Sequence, residues 1–250
     1  MKKEIKNLPA SVHQRLKTLA MQRGRTFQGM FYDYAVRQFL YRLSKSEYSH
    51  YFVLKGGVMF MGWGIPLRRI TRDIDVQGYR AKTIDDLEAI VKSICVLNVE
   101  PDGMQFSPES VRGEQIMDEA NYQGVRIYFD GYLGNAFIQL HLDVSYANII
   151  TPAEIEVEYP SLLDMPIFKI RGYPYETAIS EKFQAMVVLD RLNSRMKDFF
   201  DIWLLSHEVN IPGSTLTKAI QATFKNRNTP LPTQLPTALT SDFAKLRQAD

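Results

Sequence analysis

The spacing of hydrophobic residues divides the chain into a helical beginning, a central part rich in strands and a helical end. Residues 9–45 repeat apolar side chains at helical spacing and break once at Gly24, which predicts two helices. From residue 51 the period shortens, and short apolar strands alternate with turns and one amphipathic helix at 84–97. After Pro174 the helical period returns. The predicted strands are 51–54, 74–78, 111–116, 125–132, 137–144 and 168–170, and the predicted C-terminal helices are 175–189, 194–207 and 215–224.

This order of elements predicts an α/β (α+β) fold, with a mixed β-sheet core flanked by helices, an N-terminal helical pair and a C-terminal helical subdomain. We expect an N-terminal helical segment over residues 1–45, a core over 46–170 and a helical subdomain over 171–250. The opening residues also resemble a ribbon-helix-helix DNA-binding start, in which a short strand precedes the first helix. A helical pair packed on the core is the favoured interpretation.

Composition excludes several classes of protein. Of 250 residues, 45% are hydrophobic, 12% aromatic and 23% charged, which suits a packed core and excludes a mainly disordered chain. The formal net charge of +2 means that a nucleic-acid surface requires local clusters of basic side chains. A single cysteine, Cys95, excludes an internal disulfide. The most apolar stretch, 51–67, is too interrupted to span a bilayer and no signal peptide is evident, so we expect a cytoplasmic protein without membrane contact.

Glycines and carboxylates of the central part follow an order typical of phosphate chemistry. Gly56 and Gly57 come between a strand and a predicted helix, where backbone N–H groups and a helix N-terminus suit phosphate. Asp73 and Asp75 form a D-x-D on one face of a strand, and two like charges there favour a cation such as Mg²⁺. Asp143 lies in a later strand, which sheet pairing would bring alongside. These parts together indicate phosphoryl or nucleotidyl transfer.

A second polar cluster lies in the C-terminal helices. Lys182 stands among apolar positions of one predicted helix, and Asp198 and Asp201 share one face of the next. One interpretation is a surface ladder of salt bridges, which composition alone favours. The other is a lysine and aspartates that hold a triphosphate and orient a nucleophile. Because the helix of Asp198 is apolar around much of its circumference, its polar face is expected to meet something specific.

Four segments together resemble the AbiEii/AbiGii-type nucleotidyltransferase toxins, which belong to the DNA polymerase β superfamily. The sequence FVLKGGVMFMGWGIPLRRITRDIDVQGY, at 52–79, resembles the signature of that family. Residues 37–57 resemble its entry into the core, 159–205 its C-terminal signature and 222–232 its tail. The resemblance covers roughly residues 9–245, and the motifs are specific only in combination. It implies a nucleotidyltransferase-like core, with Mg²⁺ as cofactor and an NTP as substrate.

The resemblance also implies roles for individual residues. Asp73 and Asp75 would hold Mg²⁺, and Asp143 would complete the metal-binding triad and act as base on the acceptor hydroxyl. Lys182 would contact the nucleotide phosphates, and Asp198 or Asp201 would support the site. Arg69 and Thr71 match the family pattern R-x-[S/T]-x-D-x-D and would lie at the rim. The residues implied in nucleotide binding are Lys55, Gly56, Gly57, Arg69, Thr71, Lys182 and Asp201.

By resemblance, the protein is expected to be the toxin of a toxin–antitoxin or phage-defence system, with a cognate antitoxin and a tRNA acceptor. Arginines near the D-x-D modestly favour a nucleic-acid acceptor, namely Arg68, Arg69, Arg72 and Arg80. Two alternatives stay open: nucleotidylation of a small molecule or protein, and an inactive core with a DNA- or partner-binding N-terminal segment. The chain departs from the superfamily at Gly57, where serine is usual, and its C-terminal helical part is expected to be short.

Overall fold

The protein forms two compact units, described here from a computed structural model. The structure describes residues 7–65, 71, 73–80, 83–117, 123–146 and 148–248. Unit 1 consists of the described residues within 1–116, 123–146 and 156–172. Unit 2 consists of those within 117–122, 147–155 and 173–250. The described part of the chain has no helix that is both long and apolar enough to cross a membrane.

A mixed β-sheet with helices beside it forms unit 1. Its described strands have the order β3-β4-β5-β2-β1-β7-β6, in which β1 runs antiparallel to β2 and parallel to β7, and β2 runs parallel to β5. The mixed α/β fold predicted from the sequence is confirmed. The elements are α1 (Leu8–Gln22), α2 (Phe27–Lys45), β1 (Phe52–Lys55), α3 (Met59–Gly62), β2 (Ile74–Gly78), α4 (Ile84–Cys95), β3 (Met104–Met117), β4 (Gln123–Leu133), β5 (Ala136–Ser145), β6 (Ile155–Tyr159) and β7 (Phe168–Gly172).

The N-terminal helices belong to the core of unit 1. Helix α1 begins after Asn7 and α2 after Thr26, and each of these side chains accepts a hydrogen bond from the first turn of its helix. Every residue of α2 from 29 to 43 is buried, including Arg42, which lies 2.5 Å from Asp102. This burial agrees with the favoured helical pair packed on the core. The strand required by the ribbon-helix-helix alternative falls on residues outside those described.

The structure differs from the sequence-based elements in three respects. Strands β3, β4 and β5 extend beyond their predicted ends, because turn residues and polar positions continue the alternation of the sheet. Strand β6 was not predicted, although its three apolar residues alternate with two glutamates as in a half-buried strand. The helix after the Gly-Gly turn is only four residues long, because Gly62 is its last residue and Gly64 then turns the chain with φ +72°.

Helices make up most of unit 2. Helix α5 packs on α7 through side chains that include Phe183 and Phe224, whose ring centroids are 5.6 Å apart. Arg227, which directly follows α7, donates to Gln184 at 2.8 Å and to Asn148 at 3.0 Å, so polar contacts also hold this region together. The elements are α5 (Tyr175–Leu189), α6 (Met196–Glu208), α7 (Gly213–Asn226) and α8 (Ser241–Gln248).

Candidate active site

The turn after β1 is built around Asp75. Lys55, the last residue of β1, is the register partner of Asp75 on β2, and Gly56 then turns the chain with φ +66°. A Cβ atom at position 56 would lie 2.0 Å from Asp75 Oδ2, so the carboxylate occupies the space that a side chain would need. Gly57 is buried behind it. Because α3 is so short, the phosphate-binding capacity expected of this turn rests on its backbone and not on a helix N-terminus.

The two strands that carry aspartates lie side by side. Asp75 on β2 and Asp143 on β5 are register partners of a parallel pair, so their side chains leave the same face of the sheet. Asp73 immediately precedes β2, and its Oδ1 lies 2.8 Å from Nε2 of His141, which is two residues before Asp143. The structure therefore brings together the three carboxylates of the predicted triad and adds His141 beside them.

Arg126 is the neighbour of Asp143 that the sequence interpretation missed. It lies opposite Asp143 in the antiparallel β4–β5 pair and donates from Nε to Oδ1 at 2.7 Å and from Nη2 to Oδ2 at 2.6 Å. This bidentate hydrogen bonding raises the pKa of the guanidinium further above its usual value. Both oxygens of Asp143 are thus engaged by a cation that belongs to the protein.

The donor set suits a magnesium ion held in part by substrate. The described residues contain no group of three His, Cys, Asp or Glu side chains placed to hold a metal. Mg²⁺ is commonly held by one or two carboxylates together with phosphate oxygens and water, and the D-x-D carboxylates of Asp73 and Asp75 supply that chemistry. Arg126 competes with a metal ion for the charge of Asp143, although each oxygen of that carboxylate keeps a second lone pair. The carboxylates of Asp73 and Asp75 therefore fit Mg²⁺. Asp143 differs from the expectation, because it is paired with Arg126.

Of the remaining predicted residues near the D-x-D, some lie within the described part of the chain and others do not. Thr71 is half-buried two positions before Asp73. Arg69 lies outside the described residues, as do Arg68 and Arg72 of the predicted basic cluster. Arg80 is exposed, and its guanidinium carbon stands 5.4 Å from the ring centroid of Tyr51.

Unit 2 contains the predicted lysine–aspartate cluster. Lys182 on α5 lies 2.6 Å from Asp198 and 3.0 Å from Asp201, both on α6. The aspartates are 1% and 0% exposed, which excludes a surface ladder of salt bridges. Arg195 donates to the second oxygen of Asp198 at 2.7 Å. Burial raises the pKa of Asp198, but the charges and hydrogen bonds of Lys182 and Arg195 outweigh it, so the pKa lies below its ordinary value of 3.8.

The lowered pKa of Asp198 predicts an acid-sensitive contribution to stability. The ionised form stabilises the fold above the ordinary pKa of 3.8, and that contribution is lost as the pH falls through the lower folded-state value. We expect Asp198→Asn to reduce the free energy of unfolding by about 3 kcal/mol at pH 7, and the deficit to shrink below pH 3.8. Urea unfolding of both proteins at a series of pH values measures this.

Asp242→Asn provides the comparison, since that carboxylate is 87% exposed beside Lys245. Its removal is expected to change the unfolding free energy by less than about 1 kcal/mol at any pH tested. A deficit for Asp198→Asn that stays constant down to pH 3 would contradict the role given to its charge.

A mixed sheet that sets a D-x-D against a Gly-Gly turn and beside a third strand aspartate defines the class of the protein as a nucleotidyltransferase. Residues 38–250 match the family described as nucleotidyl transferase AbiEii toxin of type IV toxin–antitoxin systems. The chain belongs to this family. The resemblance inferred from the sequence and the enzyme class are both confirmed.

The fold is supported by the solved structure of MenT4, and two others are less similar. MenT4, the nucleotidyltransferase toxin Rv2826c from Mycobacterium tuberculosis H37Rv, superposes with a TM-score of 0.57 at 14% identity, over 91% of this chain and 75% of that one. JHP933 from Helicobacter pylori gives 0.46 at 18% identity, over 90% and 92%. An antigenic nucleotidyltransferase-like protein from Paracoccidioides brasiliensis gives 0.36 at 14%, over 71% and 80%. Comparison with curated protein sequences finds no significant match.

Proposed function

We propose that the protein is a Mg²⁺-dependent toxin that transfers a nucleoside monophosphate from an NTP to a hydroxyl group of tRNA, with release of pyrophosphate. The observation that carries this proposal is the position of Asp75, which lies against Gly56 of the turn and beside Asp143 on the next strand. Carboxylates next to a backbone turn are what a metal-bound triphosphate requires. A cognate antitoxin and action in the cytoplasm complete the proposal.

In this proposal, the residues of unit 1 position the phosphates and the attacking oxygen. Asp73 and Asp75 hold Mg²⁺, which when bound offsets the charge of the triphosphate. Lys55, Gly56 and Gly57 face the phosphates at the turn, with Thr71 at the rim. His141 fixes the orientation of Asp73 through the hydrogen bond between Nε2 and Oδ1.

The transfer step is an in-line displacement at the α-phosphorus. A bond forms between the acceptor oxygen and the α-phosphorus, the bond to the bridging oxygen of the β-phosphate breaks, and pyrophosphate leaves. Asp143 takes the proton of the hydroxyl, for which Arg126 gives up one of its two hydrogen bonds. In unit 2, the buried Asp198 and Asp201 hold the ammonium group of Lys182 in place.

The test is transfer of α-³²P label from each of the four NTPs to total tRNA in the presence of Mg²⁺. The proposal predicts label on tRNA from the wild-type protein, and at least a 1,000-fold loss in Asp73→Ala and after removal of Mg²⁺ by EDTA. Asp164→Ala is the control, since that carboxylate is 95% exposed and should retain full activity.

Each other outcome contradicts a defined part of the proposal. Label on a protein or a small molecule, with tRNA unlabelled, retains the chemistry and rejects the acceptor. Equal labelling by wild-type protein and Asp73→Ala assigns the activity to a contaminant. Absence of label on every acceptor rejects nucleotidyl transfer under these conditions and favours an inactive core.

A further inference from the structure

One face of the β4–β5 hairpin is open to solvent along its length. Residues of the opposite face are buried, among them Phe129, Leu140 and Leu142. The open face, called the hairpin face below, consists of four cross-strand pairs whose members are half-buried or exposed. From the tip inward these pairs are Tyr132–Phe137, Asp130–Gln139, Tyr128–His141 and Arg126–Asp143.

Aromatic rings and a cation are distributed along this face. At the tip, the rings of Tyr132 and Phe137 are 5.5 Å apart and the residues are 36% and 52% exposed. Further inward, the ring of Tyr128 is 5.9 Å from that of His141. The guanidinium of Arg112, on the neighbouring strand β3, stands 4.2 Å from the Tyr128 centroid, and no carboxylate among the described residues pairs with it.

The hairpin face leads directly to the candidate active site. Its innermost pair contains Asp143, and the next contains His141, which contacts Asp73. At about 3.3 Å per residue, the face extends about 20 Å from Phe137 to Asp143. That length exceeds a small-molecule acceptor and suits a few nucleotides of extended strand.

The arrangement matches how proteins recognise single-stranded RNA. Unpaired bases stack on aromatic side chains of an open sheet, commonly two or three bases on one sheet, while cations contact the phosphates. Exposed aromatic pairs also occur simply because they stabilise hairpins. Here a guanidinium stands on the ring of the inner pair, and the face ends at the carboxylates of the candidate active site, which favours the acceptor over a protein partner.

We propose that the hairpin face binds the single-stranded end of the RNA acceptor and directs its terminal hydroxyl to Asp143. Bases stack on the Tyr132–Phe137 pair, and Arg112, which stands on the ring of Tyr128, contacts the phosphates. This inference rests on the proposed function, since it names the surface on which that acceptor lies.

The test measures RNA binding without NTP or metal, so that it does not depend on catalysis. Fluorescence anisotropy of the full-length protein uses a 5′-labelled single-stranded eight-nucleotide RNA, and the same RNA in a blunt duplex. We expect tighter binding of the single strand, and a loss of about tenfold or more in the double variant Tyr132→Ala/Phe137→Ala. Arg112→Gln should weaken binding severalfold and reduce the salt dependence by about one unit of slope.

Phe200→Ala/Trp203→Ala is the matched control, because these neighbouring rings on α6 are 38% and 54% exposed. Its affinity for RNA should equal that of the wild-type protein. Where the Tyr132→Ala/Phe137→Ala protein does not fold by circular dichroism, Phe137→Ser alone provides the measurement. In the transfer assay, the hairpin-face variants should raise KM for RNA with little change in kcat.

Unchanged RNA affinity in the hairpin-face variants overturns the inference, whatever the transfer assay shows. Light scattering measures the oligomeric state and so tests whether a second copy of the chain occupies the hairpin face. If the wild-type protein is a dimer and the Tyr132→Ala/Phe137→Ala protein is a monomer, the face belongs to a dimer interface and the inference is overturned. A different result contradicts the proposed function alone. In that case RNA binds through the hairpin face, but no label that depends on Asp73 is transferred to it.

Discussion

Gly56→Ala is expected to reduce nucleotidyl transfer by at least 100-fold. A Cβ atom at this position would lie 2.0 Å from Asp75 Oδ2, so the carboxylate has to move by an ångström or more. Displacement of a catalytic group by that distance is commonly worth two orders of magnitude in rate. Alanine in a left-handed conformation, here φ +66°, also costs about 1–2 kcal/mol of stability. The label-transfer assay and urea unfolding measure the two effects separately.

Gly64→Ala is the matched control for this prediction. Gly64 also has a left-handed conformation, with φ +72°, but nothing lies within 4 Å of the Cβ that alanine would add. The variant should lose a similar amount of stability and keep its activity. Equal losses of activity in the two variants would show that backbone strain, and not the displaced Asp75, accounts for the effect.

Lys182→Met is expected to destabilise the protein by about 3–5 kcal/mol, which corresponds to a fall in Tm on the order of 10 °C. The change leaves Asp198 with one cationic partner fewer and Asp201 without its lysine, and both carboxylates are buried. Removing one partner of a buried ion pair is costly because the other charge stays out of water. Thermal unfolding followed by circular dichroism measures the effect.

Lys92→Met is the surface equivalent, because Lys92 lies 3.1 Å from Glu88 and is 45% exposed. It should cost less than about 1 kcal/mol. Lys182→Arg keeps a positive charge and should retain much of the stability, since a guanidinium also pairs with carboxylates. If Lys182→Met proves as mild as Lys92→Met, the buried cluster contributes little to folding.

The helical parts and the chemistry-bearing residues could be predicted because their signals are local. Asp198 and Asp201 are three residues apart, which predicts that they share one face of a helix. The structure shows that this face of α6 is buried. Gly56 and Gly57 stood between a strand and an apolar segment. A brief apolar helix over 58–63 was predicted after this turn, and α3 is one residue shorter at each end.

Arg126 was within reach of the sequence and was missed. Gly134-Asn135 is a two-residue turn signal, and such a turn fixes the register of the strands on either side. Counting outward from it pairs Leu133 with Ala136 and, seven steps further, Arg126 with Asp143. The alternation of β4 alone already places Arg126 and Tyr128 on one face. Extending both strands to the turn would have revealed the ion pair.

The pairing of β2 with β5 was not accessible in the same way. These strands are parallel and almost 70 residues apart, so no turn fixes their register. Which residue lies beside Asp75 depends on how the whole sheet packs. The contact between Asp73 and His141 has the same origin, and a sequence pattern supplies no signal for it.

The burial of α2 shows that the boundary of the family match is not the boundary of the folded unit. The family match begins at residue 38, in the middle of a helix whose residues 29–43 are all inside the protein. Arg37 and Asp33, an ion pair buried together, lie before that point. A protein shortened to begin at residue 38 would lack the first half of α2, and the core residues that pack on that half would be exposed to solvent. The segment that matches the family is shorter than the segment that must fold as one.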